Sequence, residues 1–192
     1  LQSKLLYILQ DIRLFRYWVF RGKKIRGLHL LHTRLAADEE KGSQRGRRMA
    51  QRAIRDGQPL TYETYCRYGE WVNTEEILAL GAQNRSEVTE FAPDYTFHVH
   101  TCPWHAQFKK MGLKEAGLAY CGVLDASICR GFNPAITYVV PQTLHDHDYC
   151  IQSVKDANMS PDMQITKNPE GLRNFEYHNA HSYWAYAEVC EA

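Results

Sequence analysis

Apolar residues over positions 3–20 recur every three or four residues: Leu5, Ile8, Leu9, Ile12, Phe15 and Val19. That period predicts a helix, with Ser3 placed to cap it. Leu6, Leu14, Tyr17, Trp18 and Phe20 widen the stripe until it nearly surrounds the helix. Such a helix needs more than one neighbour. Burial in a helical bundle and a homo-oligomer contact through this helix are the two readings. Residues 25–56 predict a second helix, broken near Gly42 and Gly46. Its stretch GSQRGRRMAQRAIRDG is arginine-rich over a thin apolar edge of Ala50, Ala53 and Ile54. It reads as a solvated cationic face, with an anion-binding face as the alternative. Residues 61–71 predict a short helix dense in tyrosine. Asn73 or Thr74 caps another through EEILALGAQ, with acids in its first turn and Gly81 near its end. Residues 82–93 read as a polar connection.

From Asp94 the period changes. Thr96–Cys102 alternates, with Phe97, Val99 and Thr101 on one face and His98, His100 and Cys102 on the other. Trp104–Met111 and Gly117–Arg130 read as helices. Ala135–Pro141 reads as a strand, and Asp148–Val154 as its antiparallel partner across the turn TLHDH. Asn174–Cys190 reads as an aromatic helix closing the core or the pocket, with His178 and His181 in structural roles rather than catalytic ones. The pattern predicts an α+β fold in one integrated domain. Its helical N-terminal part, residues 1–92, packs on an antiparallel sheet with helices in residues 93–192.

Composition narrows the function classes. The 192 residues are 44% hydrophobic and 23% charged, the balance of a soluble globular protein. A formal net charge of +1 gives no case for a nucleic-acid partner. Residues 1–57 hold 14 Lys/Arg against 5 Asp/Glu, and the remainder 9 against 17, which reads as two faces of one fold that attract each other. No apolar run reaches the ~18–20 residues of a membrane span. LLYILQDIRLFRYWVF is interrupted by Asp11, Arg13 and Arg16, and lacks the small-residue cleavage site of a signal peptide. Six cysteines without a secretory signal point to free thiols in a reducing compartment, hence a cytoplasmic protein.

The candidate chemistry lies between Asp94 and Val154, which holds four of the six cysteines and five of the nine histidines. On the helix Gly117–Arg130, Leu118, Cys121, Asp125 and Cys129 fall on one stripe. A carboxylate on an apolar face must be paired, or must carry a raised pKa suited to proton transfer. Cys121 or Cys150 is the candidate nucleophile, with a pKa lowered by a neighbouring imidazolium. His100 or His147 is the candidate base, and Asp125 the acid or the orienter. His98, Cys102 and Asp148 line the substrate site, and His98, His100 and Cys102 are expected to face the cavity of Asp125 and Cys150. Arg130 and Asn133 are candidates for binding a substrate carboxylate. This reading needs no metal and no cofactor. A competing one has His98-x-His100 and His145-x-His147 converge on a metal ion, and a third is a non-catalytic small-molecule-binding module.

The order Cys102-Pro, Gly112, YCGVLD with Cys121 and Asp125, RGFNP, then TL followed by D-x-C at Asp148 and Cys150, resembles the L-2-amino-thiazoline-4-carboxylic acid hydrolase family. The resemblance covers roughly residues 90–155. It implies a soluble bacterial hydrolase acting on a C–N bond of a small cyclic amidine, opening a thiazoline ring. It also implies helices packed on an antiparallel sheet, as in vinyl-reductase-type ligand-binding domains. Where the family pattern usually has Gly before the Asp of the last motif, this chain has His147.

Overall fold

Helix α1, Gly27–Arg55, runs without a break past both glycines that were expected to interrupt it. They serve a different purpose. A Cβ on Gly42 would lie 2.7 Å from Ser127 Cβ, and one on Gly46 would lie 2.0 Å from the Ile128 carbonyl oxygen. Spaced by four, the two glycines share a face and form a notch into which a second helix presses its backbone. Their low helix propensity costs about 1 kcal/mol each, and the close approach offsets it.

The chain is seen in a computed structural model that describes residues 27–72, 75, 78, 84–174, 177, 178, 180, 181, 184, 185, 187 and 188. The helix expected over residues 3–20, and with it the oligomer contact, lies outside the described residues. After α1 come α2 (Tyr62–Tyr68), β1 (Arg85–Glu90), β2 (Tyr95–Thr101), α3 (Pro103–Lys110), α4 (Lys114–Phe132), β3 (Tyr138–Gln142) and β4 (Cys150–Val154). Glu75, Leu78 and the described residues from Tyr177 to Glu188 are also helical. Thr61 caps α2 by accepting from the Thr64 N–H. Pro103 opens α3 directly after the strand, its missing N–H being one the first turn leaves unused anyway.

The four strands form an antiparallel sheet in the order β1-β2-β4-β3. β3 and β4 pair as the sequence predicts. Pro141 has no N–H to give the ladder, and the β3–β4 register shifts between Val139 and Gln142. β1 was read as a connection. Its RSEVTE carries one apolar residue and is exposed along nearly its whole length, so no hydrophobic alternation marks it. It is an edge strand, defined by its backbone pairing with β2.

The helices cover one face of the sheet. Met49, Ala50 and Ala53 of α1 join Phe108, Tyr120, Leu124, Ile128 and Phe132 in the main core. A second cluster, Tyr62, Cys129, Val154 and Met159, joins helices to sheet. The arginine stripe of α1 turns inward at Glu70, which is fully buried. Arg52 and Arg48 bond its two oxygens at 2.8 and 3.1 Å, and Arg45 lies 3.7 Å away. Burial pushes the Glu70 carboxyl up, but the arginine contacts outweigh it and hold it below its ordinary range. The assembly is a single-domain α+β fold. Among the described residues no helix is long and apolar enough to cross a membrane.

Candidate active site

Cross-strand pairs sort the sheet residues by face. Tyr95 pairs with Val154, Phe97 with Gln152 and Val99 with Cys150. These point toward the helices, where Val154 is fully buried and the Tyr95 ring meets Tyr62 at 5.7 Å. His98 pairs with Ile151 and belongs to the opposite face. There its ring stacks on Tyr149 at 4.5 Å, with His100 5.9 Å from the same tyrosine and 3.4 Å from Glu87. The expectation that His98, His100 and Cys102 share a cavity therefore fails for the two histidines. Alternation stops at Thr101, where the chain turns into α3, so Cys102 escapes the face that parity assigns to it.

The thiol of Cys102 joins those of Cys121 and Cys150 on the helix side. Burial comes first among the causes that push the Cys121 thiol far up, followed by the neighbouring acidic groups Cys102, Asp125, Cys150 and Asp38. Cys102 and Cys150 are raised for the same first reason. Farther along α4, burial lifts Cys129 to about 12. The described cysteines, Cys66, Cys102, Cys121, Cys129 and Cys150, are all free. A thiolate made ready by an imidazolium, as expected for Cys121 or Cys150, is not the resting state of this site.

The turn between β3 and β4 decides which histidine enters. Thr143 Oγ1 accepts from the His145 N–H at 3.2 Å and donates to Asp146 at 3.0 Å, while the His147 N–H bonds the Thr143 carbonyl. This tight turn sends His145 inward and His147 outward. His147 is half exposed and meets Asp146 at 3.0 Å, so it is not the partner of Cys150. The Cys150 sulfur instead accepts the Leu144 N–H at 3.2 Å and pins the turn to β4. His145 is buried, and its Nε2 lies 3.5 Å from the Cys121 sulfur. The ring stands edge-on to His105 at 5.0 Å and to Phe108 at 5.7 Å. Burial, and then the charge of His105, push the His145 imidazole below its ordinary range, so it stays neutral.

Gly117 makes this contact available. A Cβ there would fall 2.2 Å from His145 Cε1. Gly117 is one helical turn before Cys121, so the imidazole lies in a slot beside the thiol. Gly117 was visible in the sequence as a glycine inside a helix, but nothing nearby in the chain says which group fills the space it leaves. The turn was expected to put both His145 and His147 beside Cys150, but the base was assigned to His100 or His147, and His145 was given a named role only as a metal ligand.

Asp125 follows Cys121 by one turn. Burial pushes its carboxyl up, against the opposing charges of Arg45 and Lys41 and a 3.5 Å contact from Gln152 Nε2. Thiol, imidazole and carboxyl are thus all biased toward their neutral forms. Three proposed substrate contacts have other surroundings. Asn133 donates to the Leu60 carbonyl at 2.8 Å and accepts from the Ala135 N–H at 3.0 Å, which shapes the chain after α4. Arg130 is half exposed near Glu39, and Asp148 is exposed. Nine residues separate Cys121 from Arg130, roughly 14 Å along the helix axis. His98 and His100 lie on the face of the sheet opposite His145, while His147 points out to solvent. Among the described residues, no group of three or more His, Cys, Asp or Glu side chains is disposed to hold a metal ion.

An antiparallel sheet covered on one face by helices defines a small α+β protein, with a cysteine thiol and an imidazole in contact at the helix–sheet interface. The model of the L-2-amino-thiazoline-4-carboxylic acid hydrolase family matches residues 33–150, and the chain belongs to that family. Its name is that of a hydrolase. No curated protein and no solved structure matches the chain.

Proposed function

We propose that the protein hydrolyses a C–N bond in a small cyclic amidine, opening a thiazoline-carboxylate-like ring. Cys121 is the nucleophile, His145 its base and Asp125 the proton donor. The observation that carries this reading is the 3.5 Å contact between the Cys121 sulfur and His145 Nε2. As the sulfur bonds to the amidine carbon, its proton passes to Nε2, so no isolated thiolate is needed in the buried site. The ring nitrogen takes one proton from Asp125 as the carbon becomes tetrahedral, and a second from the exocyclic amino group as the C–N bond breaks. Water, deprotonated by His145 once its imidazolium has passed its proton to the Asp125 carboxylate, attacks the carbon, the C–S bond breaks and the thiol is restored. The balance is one substrate and one water giving the ring-opened product.

Substrate consumption by Cys121→Ala tests the assignment. A fall of about 10³-fold or more is expected, with the melting temperature retained. Turnover near the wild-type level in this variant removes the thiol from the reaction. Because the His145 imidazole is lowered, the acidic limb of kcat/KM is expected below pH 6.5. A limb above that pH would assign the base elsewhere. One observation favours a second reading: every described thiol is raised, as suits a binding module without turnover. Saturable ligand binding with no product from the wild-type protein would select it.

A further inference from the structure

β4 carries a glutamine where its pattern calls for an apolar residue. Gln152 pairs with Phe97, on the side of the sheet that faces the helices, between Cys150 and the fully buried Val154. An amide in that place is costly unless both of its ends are bonded. Here Oε1 accepts from the Tyr138 hydroxyl of β3, and Nε2 lies 3.5 Å from Asp125 Oδ2 on α4. Tyr138 pairs with Val154, so it reaches Gln152 as a diagonal neighbour on the same face. Two strands and a helix thus meet at one carboxyl.

The tyrosine decides which way the amide points. Burial, and then the charge of Asp125, push the Tyr138 hydroxyl well above its ordinary range, so it keeps its proton and has one to donate. An amide oxygen can accept that proton and an amide nitrogen cannot. With Oε1 turned to Tyr138, the Nε2 hydrogens are left for Asp125. An N–H against Oδ2 favours the charged carboxylate, in opposition to burial. Of the other ionisable groups facing Asp125, Arg45 and Lys41 of α1 are the cations that also oppose its burial. Tyr65 of α2 and the thiols Cys102, Cys121, Cys129 and Cys150 are pushed up and stay neutral near pH 7.

We infer that Gln152, oriented by Tyr138, is the positioning residue that reserves Asp125 Oδ2 for its amide and leaves Oδ1 to carry the transferable proton. This rests on the proposed role of Asp125 in ring opening. When Oδ1 gives its proton to the ring nitrogen, the charge left on the carboxylate is held at Oδ2 by the amide N–H. The proton that His145 passes on then returns to Oδ1. Without the amide the carboxylate has one bond fewer, and the acid gives up its proton less readily.

The test follows the protonated carboxyl by infrared spectroscopy in the substrate-free protein as pH is varied, with Asp125→Asn identifying its band. In Gln152→Met, which keeps the length and loses the donor, the Asp125 titration should rise by about one pH unit, the scale of one hydrogen bond to a charged group. Tyr138→Phe frees the amide to turn and should give a smaller rise. The basic limb of kcat should move up with the titration, and kcat should fall about tenfold in Gln152→Met. A role in packing alone would lower the melting temperature without moving the limb. An unmoved titration in Gln152→Met overturns the inference. A downward one also overturns it, because Oε1 would then be facing a protonated Asp125. If the methionine variant does not fold, Tyr138→Phe decides by the same outcomes. The spectroscopy needs no turnover, which separates this inference from the reaction it rests on. A rise in the variants, with no consumption of 2-amino-2-thiazoline-4-carboxylate by the wild type, sinks the hydrolase reading and leaves the positioning standing. Consumption by the wild type with an unmoved titration in the variants sinks the positioning and leaves the hydrolase.

Discussion

Two histidine-bearing regions lie on opposite sides of one sheet. On the outer face, His98 and His100 surround Tyr149, and His100 reaches Glu87. On the inner side, His145 lies against Cys121, within a wall of Phe108 and His105. In the sequence the outer pair is the more conspicuous, because it sits on a clean alternating strand beside a cysteine. The inner one looks like part of a polar turn. The difference lies in surroundings: the outer imidazoles have aromatic and carboxylate neighbours at the edge of solvent. The inner one has a sulfur, a helix backbone without a side chain, and little exposure to solvent. Only the second arrangement gives a thiol a base within hydrogen-bond reach.

The strongest way to break this comparison is Asp125→Asn. It keeps the shape and the contact with Gln152 but removes the acid. Activity should fall by roughly 10²–10⁴, the range for lost proton transfer. Stability should move the other way. A carboxyl raised by burial favours the fold below its unfolded pKa, near 3.8, and loses that contribution as pH rises through its folded value. At neutral pH the amide should therefore melt no lower than wild type, with a flatter dependence on pH. A large loss of melting temperature with unchanged kcat would make Asp125 a structural group, and leave the cysteine and imidazole to act alone.

Gly117→Ala sharpens the comparison at smaller cost. The new methyl meets the His145 ring at 2.2 Å, so the imidazole must move away from Cys121. We expect kcat to drop about tenfold, from the sensitivity of proton transfer to sub-ångström placement. Gly122→Ala is the internal control. A Cβ there meets nothing within 4 Å, so it should stabilise α4 by about 1 kcal/mol and leave turnover alone. If the two substitutions affect kcat alike, the slot beside Cys121 has no bearing on the reaction.

The elements that face a core on one side were legible from the chain. The alternation of β2, the stripe of α4 and the β3–β4 pairing all follow from burial, which leaves a period in the sequence. β1 left none, because an exposed edge strand is specified by its partner's backbone. Gly42 and Gly46 were visible as glycines, but their meaning depends on Leu124, Ser127 and Ile128, far away in sequence. The same holds at the site. Cys121 and Asp125 fall together by helical spacing alone. Their partner is chosen by a Thr143 hydroxyl that bends a five-residue turn, and a two-residue difference exchanges His147 for His145. Asn133 and Arg130 bear the right chemistry for an anion, yet local contacts claim them before any ligand could.

His100→Ala should have the smallest effect and is the cleanest check on which face matters. The residue carries a common catalytic side chain on a strand next to the site. Its ring, however, projects from the face that His98 and Tyr149 share, away from Cys121. Its contact with Glu87, whose side chain is 69% exposed, is a surface ion pair worth at most a fraction of a kcal/mol. Its distance from Tyr149 is that of an ordinary aromatic neighbour. Removing the ring should shift stability by about 0.5–1 kcal/mol and change kcat/KM by less than about twofold, which corresponds to roughly 0.4 kcal/mol of transition-state stabilisation. Steady-state rates for His100→Ala and Asp125→Asn from parallel preparations set the scale. A tenfold or larger loss in the His100 variant, with its melting temperature intact, would put the reacting groups on the outer face and reverse the comparison. In that event the 3.5 Å contact of Cys121 with His145 would be packing, and the conspicuous strand would be the site after all.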